Sequence, residues 1–345
     1  MNINNGKLPM DALHDRCAAL AEELGIAARD QIDTVAPLTG GVASDIARVT
    51  AGGRSFVVKF ALPKLKVAAD WHAPVHRNAA EYAWLQVAAQ VCPEGAVQLF
   101  GRSPEQHGFA MEFLDGDDVY LWKSALLDQK PDRGEAAKVG QLLGQIHAAS
   151  AAPDFDRGPF DNRDDFRALR IEPYLTFTAQ AHPALADKLN GLAEMLYDST
   201  QVLVHGDVSP KNILFRAAGP VLLDAECATM GDASFDPSFC LNHLVLKAIH
   251  LPDSRTRLLD SVGALWAAHA PHVSWEPAAD LEARICRLLP GLMLGRVDGK
   301  SPVEYLDETE RQIVRVAATD LLSDPAETLA QFVDRLNTHL KEHDT

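Results

Sequence analysis

VLVHGDVSPKNILF, residues 202–215, is the stretch on which the reading of this chain turns. Two apolar runs, 202–204 and 213–215, enclose a polar loop holding His205, Asp207, Lys211 and Asn212. An acid and an amide thus stand five residues apart between two anchors that a fold would bury. A short turn, AAGP at 217–220, separates this stretch from VLLDAEC at 221–227, where an apolar strand delivers Asp224 at its end and Glu226 two residues later. Strand, turn and strand make a hairpin, so Asn212 and Asp224 converge at one end of it.

That geometry suits phosphoryl transfer, which asks a protein to align a nucleophile, hold a metal against phosphates and neutralise charge. A kinase-type loop places an Asp beside the attacking hydroxyl and an Asn five residues on as a metal ligand. Asp207 and Asn212 have that spacing, and Asp224 adds a second hard oxygen ligand of the kind that suits Mg²⁺. A D-x-x-x-x-N pattern alone carries almost no weight. The preceding His-Gly-Asp and the apolar anchors raise its value, with a simple hydrogen-bonded turn, and an Asp224 that merely caps the next turn, as the alternatives.

The remaining chain sets bounds on this reading. At 345 residues it builds one large or two medium domains around a sizeable core. A net charge of −16 argues against a nucleic-acid partner, which asks for a basic footprint. Five scattered cysteines, Cys17, Cys92, Cys227, Cys240 and Cys286, form no C-x-x-C and point to free thiols in a reducing cytoplasm. The first residues lack the pattern of a secretory signal, and the longest apolar stretch, ICRLLPGLMLG, is too short and interrupted to span a membrane.

Character changes a third of the way along. A helix over 10–30 ends at Gly25 or a little later. Strand-like runs follow at 46–50, 55–60, 96–101 and 108–114, with a helix at 77–91 among them. Beyond 120 the strand signal nearly vanishes outside the hairpin. Residues 134–150 put Val139, Leu142, Leu143 and Ile146 on one helical face, and further helices fit near 183–198, 238–250, 255–270, 278–289, 307–323 and 325–341. The expected fold class is therefore α+β, with a small β-rich lobe over 1–114 and a large, mainly helical lobe over 115–345.

Taken together, HGDVSPKN and DAE make the sequence resemble the aminoglycoside phosphotransferase and choline kinase-like superfamily of small-molecule kinases, from about residue 34 to at least 300. The resemblance implies a bilobal protein-kinase-like fold, ATP and Mg²⁺ as cofactors, and a small-molecule hydroxyl as acceptor. It implies Asp207 as the catalytic Asp, and Asn212 and Asp224 as metal ligands with Glu226 as a further candidate. His205, and Asp236 in GDASFDPSF, are implied as braces of the catalytic loop. The form Asp224-Ala225-Glu226 is similar to that of methylthioribose kinase and choline kinase.

The small lobe would then hold the nucleotide. Gly40 and Gly41 in LTGGVASDIARV allow backbone N–H groups to approach phosphate, with Ser44 as a further contact, although a plain β-turn fits this segment equally. Lys59 sits in the apolar strand SFVVKF and needs either an outward path or an anionic partner, and Glu81 is the acid of helix 77–91 that fits. FAMEFLDG resembles the hinge, with Met111 as gatekeeper and the Glu112 carbonyl and Leu114 N–H toward the adenine edge; an edge strand is the alternative. The segment 62–78 is a lid candidate or a solvated loop. Arg296, beside Asp298 and Lys300 around a glycine turn, is a candidate acceptor contact or a surface residue. A kinase-fold binding protein that holds nucleotide without transfer is the alternative function, and the five intact residues Lys59, Glu81, Asp207, Asn212 and Asp224 argue against it.

Overall fold

The computed structural model describes residues 10–38, 44–64 and 74–343. Gly40, Gly41 and most of the candidate lid, 65–73, lie outside them. The chain divides into two compact units, Met1–Asp117 and Asp118–Thr345.

In the first unit, helix α1 (Met10–Glu23) precedes strands β1 (Ile32–Pro37), β2 (Ser44–Ala51) and β3 (Arg54–Ala61), helix α2 (Arg77–Val91), and strands β4 (Leu99–Ser103) and β5 (Gly108–Glu112). The sheet order is β1-β2-β3-β5-β4, and every neighbouring pair is antiparallel. Strand alternation decides which side chain meets which helix. Phe56, Val58 and Phe60 of β3 pack with Leu13, Cys17, Leu20 and Ala21 of α1. Lys59, of opposite parity, turns to the other face and meets α2. Gly108 is a matter of space: a Cβ there would stand 2.4 Å from the Phe60 ring.

The second unit opens with β6 (Tyr120–Leu121), α3 (Trp122–Leu127) and α4 (Glu135–Ser150). Residues 163–181 are helical: α5 (Arg163–Phe166), a π-helical run (Arg167–Thr176) and α6 (Phe177–Ala181). The wide turn accommodates Pro173, whose missing N–H and ring disfavour a regular α-helical turn. Then come α7 (Ala186–Asp198), β7 (Val202–Val204), β8 (Ile213–Arg216), β9 (Gly219–Leu222) and β10 (Thr229–Gly231). Five more helices close the described chain: α8 (Phe235–His250), α9 (Arg255–His269), α10 (Ala278–Asp298), α11 (Glu308–Ser323) and α12 (Leu329–His343).

Helix α10 corrects one expectation. It runs through Pro290 to Asp298, so Arg296 and Asp298 stand on its last turn and only Gly299 and Lys300 lie beyond it. Residues 288–295 are all buried, and that apolar packing outweighs the one backbone bond Pro290 removes. Helix α8 is buried along nearly its whole length, through Ile249, which makes it the central rod of the unit.

Candidate active site

The loop between β7 and β8 carries the candidate chemistry, and three elements hold it still. Strand β7 pairs antiparallel with β10, Val204 opposite Thr229. At its far end β8 pairs with β9, Ile213 opposite Leu222, and with β6, Leu214 opposite Leu121. The third support is Asp236 in the first turn of α8. Its carboxylate accepts the backbone N–H of His205 at 2.7 Å and of Gly206 at 2.9 Å, with no solvent exposure. His147 of α4 stands 3.4 Å from the same carboxylate, and His269 of α9 stands 3.3 Å from His147.

Gly206 is the turning point. Its φ of +83° is in the left-handed region, and a Cβ would lie 2.9 Å from that of Cys227. The turn lets the His205 Nδ1 accept the N–H of Asp207 at 3.1 Å. Burial pushes the His205 imidazole below its usual range, so it is a neutral acceptor at this position and not a proton carrier.

Asp207 is 5% exposed. Burial alone would raise its pKa, but Lys211 and then Arg170 override it and hold the carboxyl well below the usual range. The Arg170 guanidinium reaches Asp207 Oδ2 at 3.1 Å and also donates to the Gly206 carbonyl; the Lys211 ammonium stands 3.3 Å from the same Oδ2. Both cations fall on Oδ2. The other oxygen, Oδ1, has no hydrogen-bond partner among the described residues and is left to accept one. Arg170 comes from the π-helical run, and sequence spacing offers no signal for it. Lys211 is visible in the loop, but its pairing with Asp207 needs the fold.

The hairpin brings the two candidate metal ligands together. Leu223 N–H donates to the Asn212 carbonyl at 2.9 Å, one step beyond the Ile213–Leu222 pair, so Asn212 and Asp224 leave the ladder side by side. Asn212 Nδ2 donates to the Asp207 carbonyl at 3.1 Å, which directs its Oδ1 the other way. Asp224 has φ +70°, a left-handed conformation that Asp tolerates better than most residues and that concentrates at functional sites. Glu226 is 7% exposed two residues on. Among the described residues no three His, Cys, Asp or Glu side chains group closely enough to hold a metal by themselves. Mg²⁺ does not require such a cage: one or two carboxylates, water and substrate phosphates suffice, and the Asn212 and Asp224 oxygens fit that demand.

In the first unit, Lys59 and Glu81 meet at 2.7 Å, each 2% exposed. Ser44 opens β2 opposite Ala61 and is buried. Met111 is buried in β5 opposite Val57. The Glu112 N–H donates to Gln98 at 2.8 Å while its carboxylate accepts from the Gln98 N–H at 3.1 Å, and Leu114 follows the end of the strand. In the second unit, Arg296 donates to the Tyr174 hydroxyl at 3.2 Å and to the Ser301 hydroxyl at 3.0 Å, close to the run that carries Arg170.

The chain is similar to several known proteins. A methylthioribose kinase from Erwinia tasmaniensis is 25% identical over 260 residues. The match covers 64% of this chain and 64% of that protein, so the chain spans just under two thirds of its relative's length. A choline/ethanolamine kinase family protein from Mesorhizobium loti superposes with TM-score 0.53 at 14% identity, over 96% of this chain and 100% of the other. An amicoumacin kinase solved with AMP-PNP and Ca²⁺ gives TM-score 0.54 at 11% identity, over 88% of this chain and 92% of that one. At such identities the two structures speak to a shared protein-kinase-like fold. Residues 34–272, well over half of the sequence and including the whole β7–β8 loop and its hairpin, match the phosphotransferase enzyme family, and the chain belongs to that family.

Proposed function

We propose that the protein is an ATP- and Mg²⁺-dependent kinase that transfers the γ-phosphate to a hydroxyl of a small molecule. The observation that carries this reading is the pinned loop, with Asp207 Oδ1 open, Oδ2 neutralised, and Asn212 and Asp224 at one hairpin end. The methylthioribose kinase relative supports it, as does the amicoumacin kinase solved with a nucleotide analogue and a divalent cation.

In the reaction the acceptor hydroxyl donates a hydrogen bond to Asp207 Oδ1, which aims its oxygen at the γ-phosphorus. The new P–O bond forms as the bond to ADP breaks, and the hydroxyl proton passes to Asp207. A carboxylate held at low pKa is a weak base, so the proton moves late, as a loose transition state permits. Asn212 and Asp224, with Glu226 as a further candidate ligand, would hold Mg²⁺, which would supply positive charge against the phosphate oxygens. Lys59, fixed by Glu81, is the phosphate-binding cation of the first unit, and Met111, Glu112 and Leu114 form the adenine side. Five free cysteines fit a reducing, cytoplasmic setting, and no described helix is long and apolar enough to cross a membrane.

The test is a screen of purified protein with Mg-ATP against hydroxyl metabolites of varied charge, read as acceptor-dependent ADP release. Removing divalent metal with EDTA is expected to abolish that release. Saturable Mg-ATP binding with no acceptor turned over would refute transfer and favour a nucleotide-holding protein.

A further inference from the structure

Helix α8 carries an unusual charge. Lys247 is 1% exposed, yet among the described residues no carboxylate lies within 4.0 Å of its ammonium. Its one hydrogen-bond acceptor is the His243 carbonyl, at the limiting distance of 3.5 Å, and its other neighbour is the Tyr305 ring, centroid 5.0 Å away. A buried ammonium with three donors and one marginal acceptor is costly unless something else satisfies it.

The groups around it are in the same condition. Arg296 uses Nη1 on Tyr174 and Ser301, while its buried Nε has no acceptor among the described residues. The Tyr305 hydroxyl is buried and likewise has no partner among the described residues. His243, one turn before Lys247, stacks edge-on against Phe239 at 5.5 Å, and Phe239 packs on Tyr174 at 5.4 Å. Lys123, also nearby, is paired with the Glu304 carboxylate. Burial first, then Lys123 and Arg296, bring the Lys247 ammonium down to about 7, with Glu304 and Cys240 acting in the opposite direction.

This cluster adjoins the catalytic loop. Tyr174 lies one turn beyond Arg170, which holds Asp207. His243 feels the charges of Lys247, Arg296, Asp207 and Lys211 together. Replacing a buried ionic group by an apolar residue of similar shape is often neutral or stabilising, so Lys247 is not explained by core packing. A protein of net charge −16 that keeps two neighbouring cations here, with two buried donors that lack acceptors among the described residues and an ammonium with a single long one, is suited to receive an anion there.

We propose that Lys247, Arg296 and Tyr305 form an anion subsite, and that the hydroxyl acceptor bears a carboxylate or a phosphate group that seats in it. This rests on the phosphotransferase reading, and it narrows the acceptor to a hydroxy acid or a phosphorylated alcohol.

The experiment titrates Mg-ADP-saturated protein with sodium phosphate and, separately, sodium acetate, at constant ionic strength set with chloride, reading the melting temperature. One of the two anions is expected to raise it saturably. Lys247→Met and Tyr305→Phe are each expected to weaken that response about tenfold or more, the effect of one lost charge-assisted or buried hydrogen bond. Tyr305→Phe removes a single oxygen, so it keeps the test valid if the lysine variant folds poorly. Preference for acetate identifies a carboxylate acceptor, and preference for phosphate a phosphorylated one. No saturable response to either anion, or a response that both variants retain, overturns the subsite. Efficient phosphorylation of an uncharged or cationic acceptor, with kcat/KM unchanged in Lys247→Met, overturns it while leaving the kinase reading intact. Anion binding lost in both variants, with no hydroxyl phosphorylated, supports the subsite and instead removes the kinase reading.

Discussion

Replacing Asp236 by Asn probes its support of the β7–β8 loop. The carboxylate accepts two backbone N–H bonds, from His205 at 2.7 Å and Gly206 at 2.9 Å, with no exposure to water. An amide of the same shape keeps one accepting oxygen and turns an NH₂ toward the second N–H. One charge-assisted bond becomes neutral and the other becomes a donor facing a donor. Hydrogen bonds to charged groups contribute roughly 1.5–3 kcal/mol each, and a buried unsatisfied donor costs about 1–3 kcal/mol. The variant is therefore expected to lose about 2–4 kcal/mol, a large share of the stability of an ordinary domain. Denaturant unfolding measures the total, and hydrogen exchange at the His205 and Gly206 amides locates it. Turnover should fall with little change in nucleotide affinity, because the loop that carries Asp207 loses its anchor. Stability within about 0.5 kcal/mol of wild type, with both amides still protected, would refute the bracing role.

Three other outcomes follow from the same contacts. Arg170→Met removes one of the two cations on Asp207 Oδ2, so the carboxyl pKa should rise toward its ordinary range and the acid limb of the kcat/KM profile should move to higher pH; an unmoved limb contradicts the pairing. Gly206→Ala forces a left-handed alanine into a space 2.9 Å from the Cys227 Cβ, and should cost about 1–3 kcal/mol in a thermal or denaturant melt. Lys247→Met should stabilise the protein in a pH-dependent way. The folded ammonium titrates at about 7 and the unfolded one near 10.5, so wild type is penalised most below pH 7 and the penalty fades as pH rises. At about 1.36 kcal/mol per pH unit, the advantage of the variant should shrink by roughly 2–3 kcal/mol between pH 7 and pH 9, and an equal advantage at both would contradict a buried, uncompensated charge.

The sequence reveals most where local chemistry and hydrophobic pattern agree. The hairpin is legible because its two apolar runs flank a turn, and the register Ile213–Leu222 follows from that turn, which is why Asn212 and Asp224 converge. Lys59 and Glu81 are legible because a lysine of the inner strand needs an acid and α2 offers one in reach. Arg170 is not legible. It sits in a π-helical run that has no 3.6-residue period, among charges that mask the buried face, and its contact with Asp207 is made across 37 residues of chain. The end of α10 is misjudged because Pro290 reads as a stop, and only the surrounding apolar packing keeps the helix going to Asp298. The idle donors of Lys247, Arg296 and Tyr305 are invisible in one dimension, since a lysine on a buried helix announces itself only when its neighbours are known.

The central claim is that Asp207 orients a hydroxyl for attack while other residues bind the nucleotide. Its most direct test is Asp207→Asn, assayed for transfer of labelled γ-phosphate to the best acceptor found by screening, alongside Mg-ATP affinity. The substitution keeps the shape of the side chain and removes its charge. Transfer is expected to fall about 10²–10⁴-fold, the usual contribution of a positioned base, with nucleotide affinity within a few-fold of wild type. Transfer within tenfold of wild type would contradict the assignment of Asp207.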